Sequence, residues 1–152
     1  MNPVHESDRP VRLVVIDDDP KNLKMVKFTL SSGELEIHTA SDPRVGLDLI
    51  AQLHPQIVLI DLVLPGIGGM ELLQQIVQLE QGIAVILMTG HNSPELATEA
   101  IKMGAIDYFP KPFSPQKLRE RIDLIVEDKK RRQRSSTMDG IAEKQREALR
   151  EI

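Results

Sequence analysis

The chain has 152 residues and 41% apolar content, enough for one domain with its own core and too few for a second full one. No cysteine, no tryptophan and only 3% aromatics exclude a disulfide framework, a thiolate metal site and a stacking platform for single-stranded nucleic acid. The net charge of −4 gives no global pull toward nucleic acid or anionic membranes, and no apolar run approaches the roughly 20 residues that span a bilayer, so the expectation is a soluble cytoplasmic protein.

After an N-terminal arm (residues 1–10) without the apolar stretch of a signal peptide, VRLVVI (11–16) reads as a buried strand. Asp19-Pro20 then opens a helix carrying Leu23, Val26 and Leu30, since Asp caps a helix well and Pro suits its first turn. LEIHTA (35–40) is the second strand, and Asp42-Pro43 opens a helix whose apolar side carries Val45, Leu49 and Leu53. QIVLI (56–60) is followed by Leu72, Leu73, Ile76 and Leu79 at helical spacing. AVILM (84–88) leads to Ser93-Pro94 and a helix with Leu96, Ala97, Ala100, Ile101 and Met103. The weaker AIDYF (105–109) precedes Ser114-Pro115 and a helix with Leu118, Ile122, Ile125 and Val126.

Strands that are apolar throughout, rather than alternating, belong to a sheet covered on both faces. Alternation with helices makes that sheet parallel, so the fold predicted is a three-layer α/β sandwich of five strands and five helices. The body should span residues 11–128. Beyond it, EDKKRRQR and the polar SSTMDG lead into IAEKQREALREI, where Ile141, Gln145, Ala148, Leu149 and Ile152 share one side. Residues 129–152 therefore read as a basic, amphipathic helical tail or linker, and the ending within a helical pattern suits a piece of a longer chain.

Ligands of open parallel sheets sit beyond the carboxyl ends of the strands. There strand one ends in Asp17 and Asp18, strand three in Asp61 and strand four in Thr89, and Lys111 follows strand five closely. A lone Asp in such a place is usually a cap or turn residue. Three together repel unless a cation neutralises them, and oxygen-only ligands without the twelve-residue calcium-loop pattern suit Mg²⁺. A carboxylate beside such an ion, with a hydroxyl and an ammonium for phosphoryl oxygens, describes an aspartate that accepts a phosphoryl group. With no evident general base for water, the group would be received and held rather than turned over, which argues against an enzyme.

The ordered set VVIDDDP, IVLIDLVLPGIGGMEL, VILMTG and GAIDYFPKPF resembles the receiver domains of two-component response regulators, the CheY-like family, over about residues 11–128. The resemblance implies a flavodoxin-like strand order 2-1-3-4-5 and Asp61 as phosphoacceptor. It further implies Mg²⁺ held directly by Asp18, more loosely by Asp17, and by Asp61 and the main-chain carbonyl of Val63. Thr89 would be the switch hydroxyl, Lys111 the phosphate-pairing cation in a cis bond to Pro112, and Tyr108 the rotameric switch. A histidine kinase would be the phosphodonor, at most slow autodephosphorylation would follow, and the face of helix four, strand five and helix five would carry the signal. This chain departs from the family pattern at Gly68, where an acidic residue is common, and at Leu64 and Ile67, where methionines are; these changes leave the chemistry intact.

Several features are weaker. Asp107 and Arg121 lie where some receivers exchange salt bridges between copies, which suggests a homodimer through that face; the tail offers a second route. His5, His38, His54 and His91 show no metal-like spacing, although His91 stands two residues past Thr89, and the basic run at 129–134 reads as a solvated helix face rather than a nucleic-acid contact. Haloacid-dehalogenase-like Mg²⁺-dependent phosphatases are the enzyme alternative, but they need D-x-D-x-T at the first strand, where residues 17–21 read Asp-Asp-Asp-Pro-Lys. A flavodoxin-type flavin module would want a Ser/Thr/Gly-rich loop in the same place.

Overall fold

The computed structural model describes residues 9–64, 66–80, 82–90 and 94–150, without side-chain detail for 135–143 and 150. The elements follow in the order β1 (Val11–Ile16), α1 (Pro20–Leu30), β2 (Leu35–Ala40), α2 (Pro43–Leu53), β3 (Ile57–Asp61), α3 (Gly69–Leu79), β4 (Ala84–Thr89), α4 (Pro94–Met103), β5 (Asp107–Pro110) and α5 (Pro115–Arg150). The strands form one parallel sheet in the order β2-β1-β3-β4-β5. This is the flavodoxin-like, CheY-like arrangement expected.

Side chains of successive strand residues leave on opposite faces, so each central strand contributes to two cores. Leu13, Val15, Ile57, Leu59, Ile86 and Met88 meet Leu23 and Val26 of α1 and Leu118 and Ile122 of α5. Val14, Ile16, Val58, Ile60, Val85 and Leu87 meet Ile50 of α2, Leu72, Leu73 and Ile76 of α3 and Ala100 of α4. Burial on both faces is why β1, β3 and β4 tolerate scarcely any polar residue until their last positions, where the chain emerges at the carboxyl edge.

Helix starts fall where the proline pairs placed them. Asp19 caps α1 by accepting the Lys21 N–H at 3.0 Å, and Asp42 caps α2 by accepting that of Arg44 at 2.7 Å. Ser93, the expected cap of α4, lies outside the described residues, but that helix begins at Pro94 and α5 at Pro115.

Two expectations are corrected, the extent of β5 and the buried side of α2. β3 ends at Asp61 and β4 at Thr89, as expected, while β5, read as 105–109, is confined to Asp107–Pro110. The acidic and hydroxyl residues are thus the last members of their strands and inherit strand rigidity. In α2 the buried residues are Pro43, Gly46 and Ile50, with Val45 half exposed. That helix seats on its glycine: a Cβ on Gly46 would lie 2.4 Å from Ile16 Cδ1, so a larger residue would require the Ile16 side chain or the helix to shift. α5 runs unbroken from Pro115 to Arg150, through the segment read as a helical tail. The segment holds no proline, and Ser, Thr, Asp and Gly weaken a helix without breaking it. Its described buried apolar side chains end at Val126.

Candidate functional site

Asp17 follows β1, Asp61 ends β3 and Thr89 ends β4; all three are buried, whereas Asp18 beside them is exposed. One carboxylate oxygen from each of Asp17, Asp18 and Asp61 falls within 4.8 Å of the others. Lys111, in the connection between β5 and α5, reaches into this group: its Nζ donates to Asp17 Oδ2 at 2.9 Å and to Asp61 Oδ2 at 3.1 Å. Its backbone N–H bonds the Thr89 carbonyl, and its bond to Pro112 is cis. Side chains distant in sequence therefore meet because a parallel sheet delivers all its strand ends to one edge.

The chain also shapes this edge by short-range bonds. Asp61 Oδ1 accepts the Val63 N–H at 3.2 Å, turning the strand exit back on its own carboxylate. Gly69, at the start of α3, donates its N–H to the Leu62 carbonyl at 2.8 Å, and a Cβ there would lie 2.5 Å from Leu62 Cα. No larger residue fits, so the glycine sets how tightly the loop after Asp61 folds against α3. Asp17 Oδ1 accepts the Asp19 N–H at 2.9 Å, and Asp17 Oδ2 accepts Asn22 Nδ2 at 2.7 Å as well as Lys111.

Electrostatically the cluster is unbalanced, with three carboxylates and one ammonium in contact. Burial pushes the Asp61 carboxyl above its ordinary value, against the opposing pull of the Val63 N–H and of Lys111. For Lys111, burial pulls downward but is outweighed by the hydrogen bonds and charges of Asp17 and Asp61, and the ammonium is held above its ordinary value. Lys111 is therefore charged, and the remaining excess of negative charge matches a divalent cation. All donors in the cluster are oxygen, which suits a hard ion.

Tyr108 is half-buried in β5, opposite Leu87 of β4 and packed against the core beneath α4. Within the chain, Arg121 Nε donates to Asp107 Oδ2 at 2.7 Å, and both side chains are partly exposed. His38 bonds Glu36 at 3.1 Å and His54 lies 3.4 Å from Glu80, both away from the acidic edge; His91 lies outside the described residues. Sequence reasoning missed Asn22. The signal was an Asn, a weak helix former, in the first turn of α1 five residues after a strand-end aspartate.

A family model for the response regulator receiver domain matches residues 13–123. The chain belongs to this family. Receiver domains are the phosphorylation-controlled signalling domains of two-component systems, and this receiver carries that role. It is 34% identical over 127 residues to the C4-dicarboxylate transport transcriptional regulatory protein DctD of Pseudomonas aeruginosa, a match spanning 84% of this chain and 28% of that protein. It is 30% identical to the response regulator MprA of Mycolicibacterium vanbaalenii, over 88% of this chain and 55% of that one. The chain thus spans between about a quarter and about half of these curated relatives. Among solved structures, a CheY-like receiver domain from Methanospirillum hungatei is 30% identical with a TM-score of 0.75, covering 81% of this chain and 98% of its own.

Proposed function

We propose that this receiver accepts a phosphoryl group on Asp61 from a phosphohistidine of a partner histidine kinase, with Mg²⁺ at the acidic edge. The observation that carries the reading is Lys111 Nζ bridging buried Asp17 and Asp61 inside a group of three converging carboxylates. Asp18, exposed and with no donor to its carboxylate among the described residues, is the direct metal ligand. Asp17 binds more loosely through water, and Asp61 and the Val63 carbonyl complete the protein's share. Mg²⁺ rather than Ca²⁺ fits a site of few carboxylates open to water. When bound, the ion offsets charge on the phosphoryl oxygens during transfer.

The protein's own residues do the rest. Asp61 Oδ2 attacks phosphorus, the bond to the donor's imidazole nitrogen breaks, and the electron pair leaves with the imidazole. Lys111 pairs with the phosphoryl oxygens that arrive, and Thr89 donates its hydroxyl to one of them. Tyr108 then moves inward, and the surface of α4, β5 and α5 shifts between two states that a partner or linked output region reads. The organisation that goes with this reading is a cytoplasmic receiver body over residues 11–128, with 129–152 as a linking tail. Homodimer formation through the α4–β5–α5 face would require the Asp107–Arg121 pair to exchange partners or to remain closed.

Labelling by acetyl phosphate with Mg²⁺ tests the assignment. Asp61→Asn should abolish labelling and Asp107→Asn should retain it. Label persisting on Asp61→Asn would place the acceptor elsewhere.

A further inference from the structure

Asn22 is the second residue after Pro20 in α1, and its side chain does nothing for that helix. The helix is already capped by Asp19, and the Asp19 N–H that a residue at this position could otherwise reach back to is taken by Asp17 Oδ1. Asn is a poorer helix former than Ala or Lys, so local propensity gives no reason for it. Instead Asn22 Nδ2 donates to Asp17 Oδ2 at 2.7 Å, the shortest of the contacts to that carboxylate.

Asp17 is fully buried, and a carboxylate offers about four acceptor positions. Three are occupied by the Asp19 N–H, Asn22 and Lys111. Lys111 is the one of the three with competing business, because it is also bonded to Asp61 Oδ2. A phosphoryl group on Asp61 would bring new oxygens to compete for that ammonium. What then fixes the second oxygen of Asp17 is Asn22, which among the described residues is its one other side-chain donor.

We propose that Asn22 is a positioning residue for the acidic edge. It holds Asp17 in the orientation that presents the carboxylate's one unfilled acceptor position to a water on the cation, whether or not Lys111 stays. This rests on the reading of Asp17, Asp18 and Asp61 as a Mg²⁺ site. Removing a neutral donor slightly concentrates charge on Asp17, which by itself favours a cation. Losing orientation is the larger effect, since donors behind metal-binding groups typically contribute 10–100-fold in affinity. Asn22 lies on a cleft of about 360 Å³ shared with Met25, Lys111 and Phe113, so its truncation leaves a hole open to water and not a void in the core.

The test is calorimetric titration of the full chain with Mg²⁺, alongside urea unfolding and the side-chain amide signals in a ¹H–¹⁵N spectrum. Asn22→Ala and Asn22→Ser should each raise the Mg²⁺ dissociation constant about tenfold or more while leaving the urea midpoint near that of the parent. In the metal-free parent, the Asn22 amide signal should move when Asp17→Asn is introduced. A dissociation constant within twofold of the parent in whichever of the two variants folds, or an Asn22 signal indifferent to Asp17→Asn, would overturn the proposal. A parent chain that binds no Mg²⁺ at millimolar concentration would overturn the metal-site reading along with it, so the two failures are distinguishable.

Discussion

Asp61, the proposed phosphoacceptor, is held at a cost to the fold. Its carboxyl is raised chiefly by burial, so its folded-state pKa lies above the unfolded one. A group of that kind contributes stability below its unfolded pKa and loses the contribution as pH rises through the folded value. At neutral pH the ionised Asp61 is therefore a net burden, and Asp61→Asn, which keeps the shape and leaves Lys111 its bond to Asp17, should raise the thermal midpoint. An unchanged or lower midpoint in differential scanning calorimetry would contradict this. The same shift predicts that Mg²⁺ affinity fades on acidification from a higher pH than a freely solvated aspartate cluster would give, because the ligand must be deprotonated to bind. Asp19 separates cleanly from its neighbours: its carboxylate accepts the Lys21 N–H and takes no part in the metal group. Asp19→Ala should cost about 1 kcal/mol in urea unfolding and leave the Mg²⁺ dissociation constant unchanged.

At the level of elements, the glycines at the start of α3 separate what a sequence can disclose from what it hides. Gly69 abuts the backbone of Leu62, whereas a Cβ on Gly68 would meet nothing within 4 Å. Gly69→Ala should destabilise by about 1–3 kcal/mol through overpacking against main chain that cannot yield, and Gly68→Ala should be nearly neutral; equal urea midpoints for the two would refute the distinction. In the sequence they are two adjacent letters. Apolar runs and Asp-Pro pairs made the strands, helix starts and layer order readable, because burial on both sheet faces and capping leave strong local patterns. The convergence of Asp17, Asp61, Thr89 and Lys111 was readable too, since parallel strands bring their ends together whatever their spacing in the chain. The seat of α2 on Gly46, the Asn22–Asp17 bond and the internal Asp107–Arg121 pair depend on how close two backbones come, and residue type alone does not encode that distance.

The whole molecule is a compact body from which one helix runs on. The family model's match ends at Asp123 and the described buried apolar side chains end at Val126, yet α5 continues to Arg150, about 36 Å past Val126 at 1.5 Å per residue. Two lysines fasten the point of departure: Lys129 Nζ donates to the Gly82 carbonyl, and Lys130 lies 3.8 Å from Glu34. Burial and the charge of Arg132 hold the Lys129 ammonium below its ordinary pKa. Past Arg134 the described side chains, Lys144 to Leu149, are all exposed, and a helix without a packed face gains little cooperativity from the body. A chain ending after Arg134 should therefore unfold in urea with the midpoint and slope of the full chain, because the slope reports surface newly exposed on unfolding. Ending it after Asp128 should cost about 1 kcal/mol more, chiefly the Lys129 hydrogen bond. A markedly smaller slope for the first truncation would mean that the helix beyond Arg134 folds as part of the body, and the boundary near residue 128 would have to move outward.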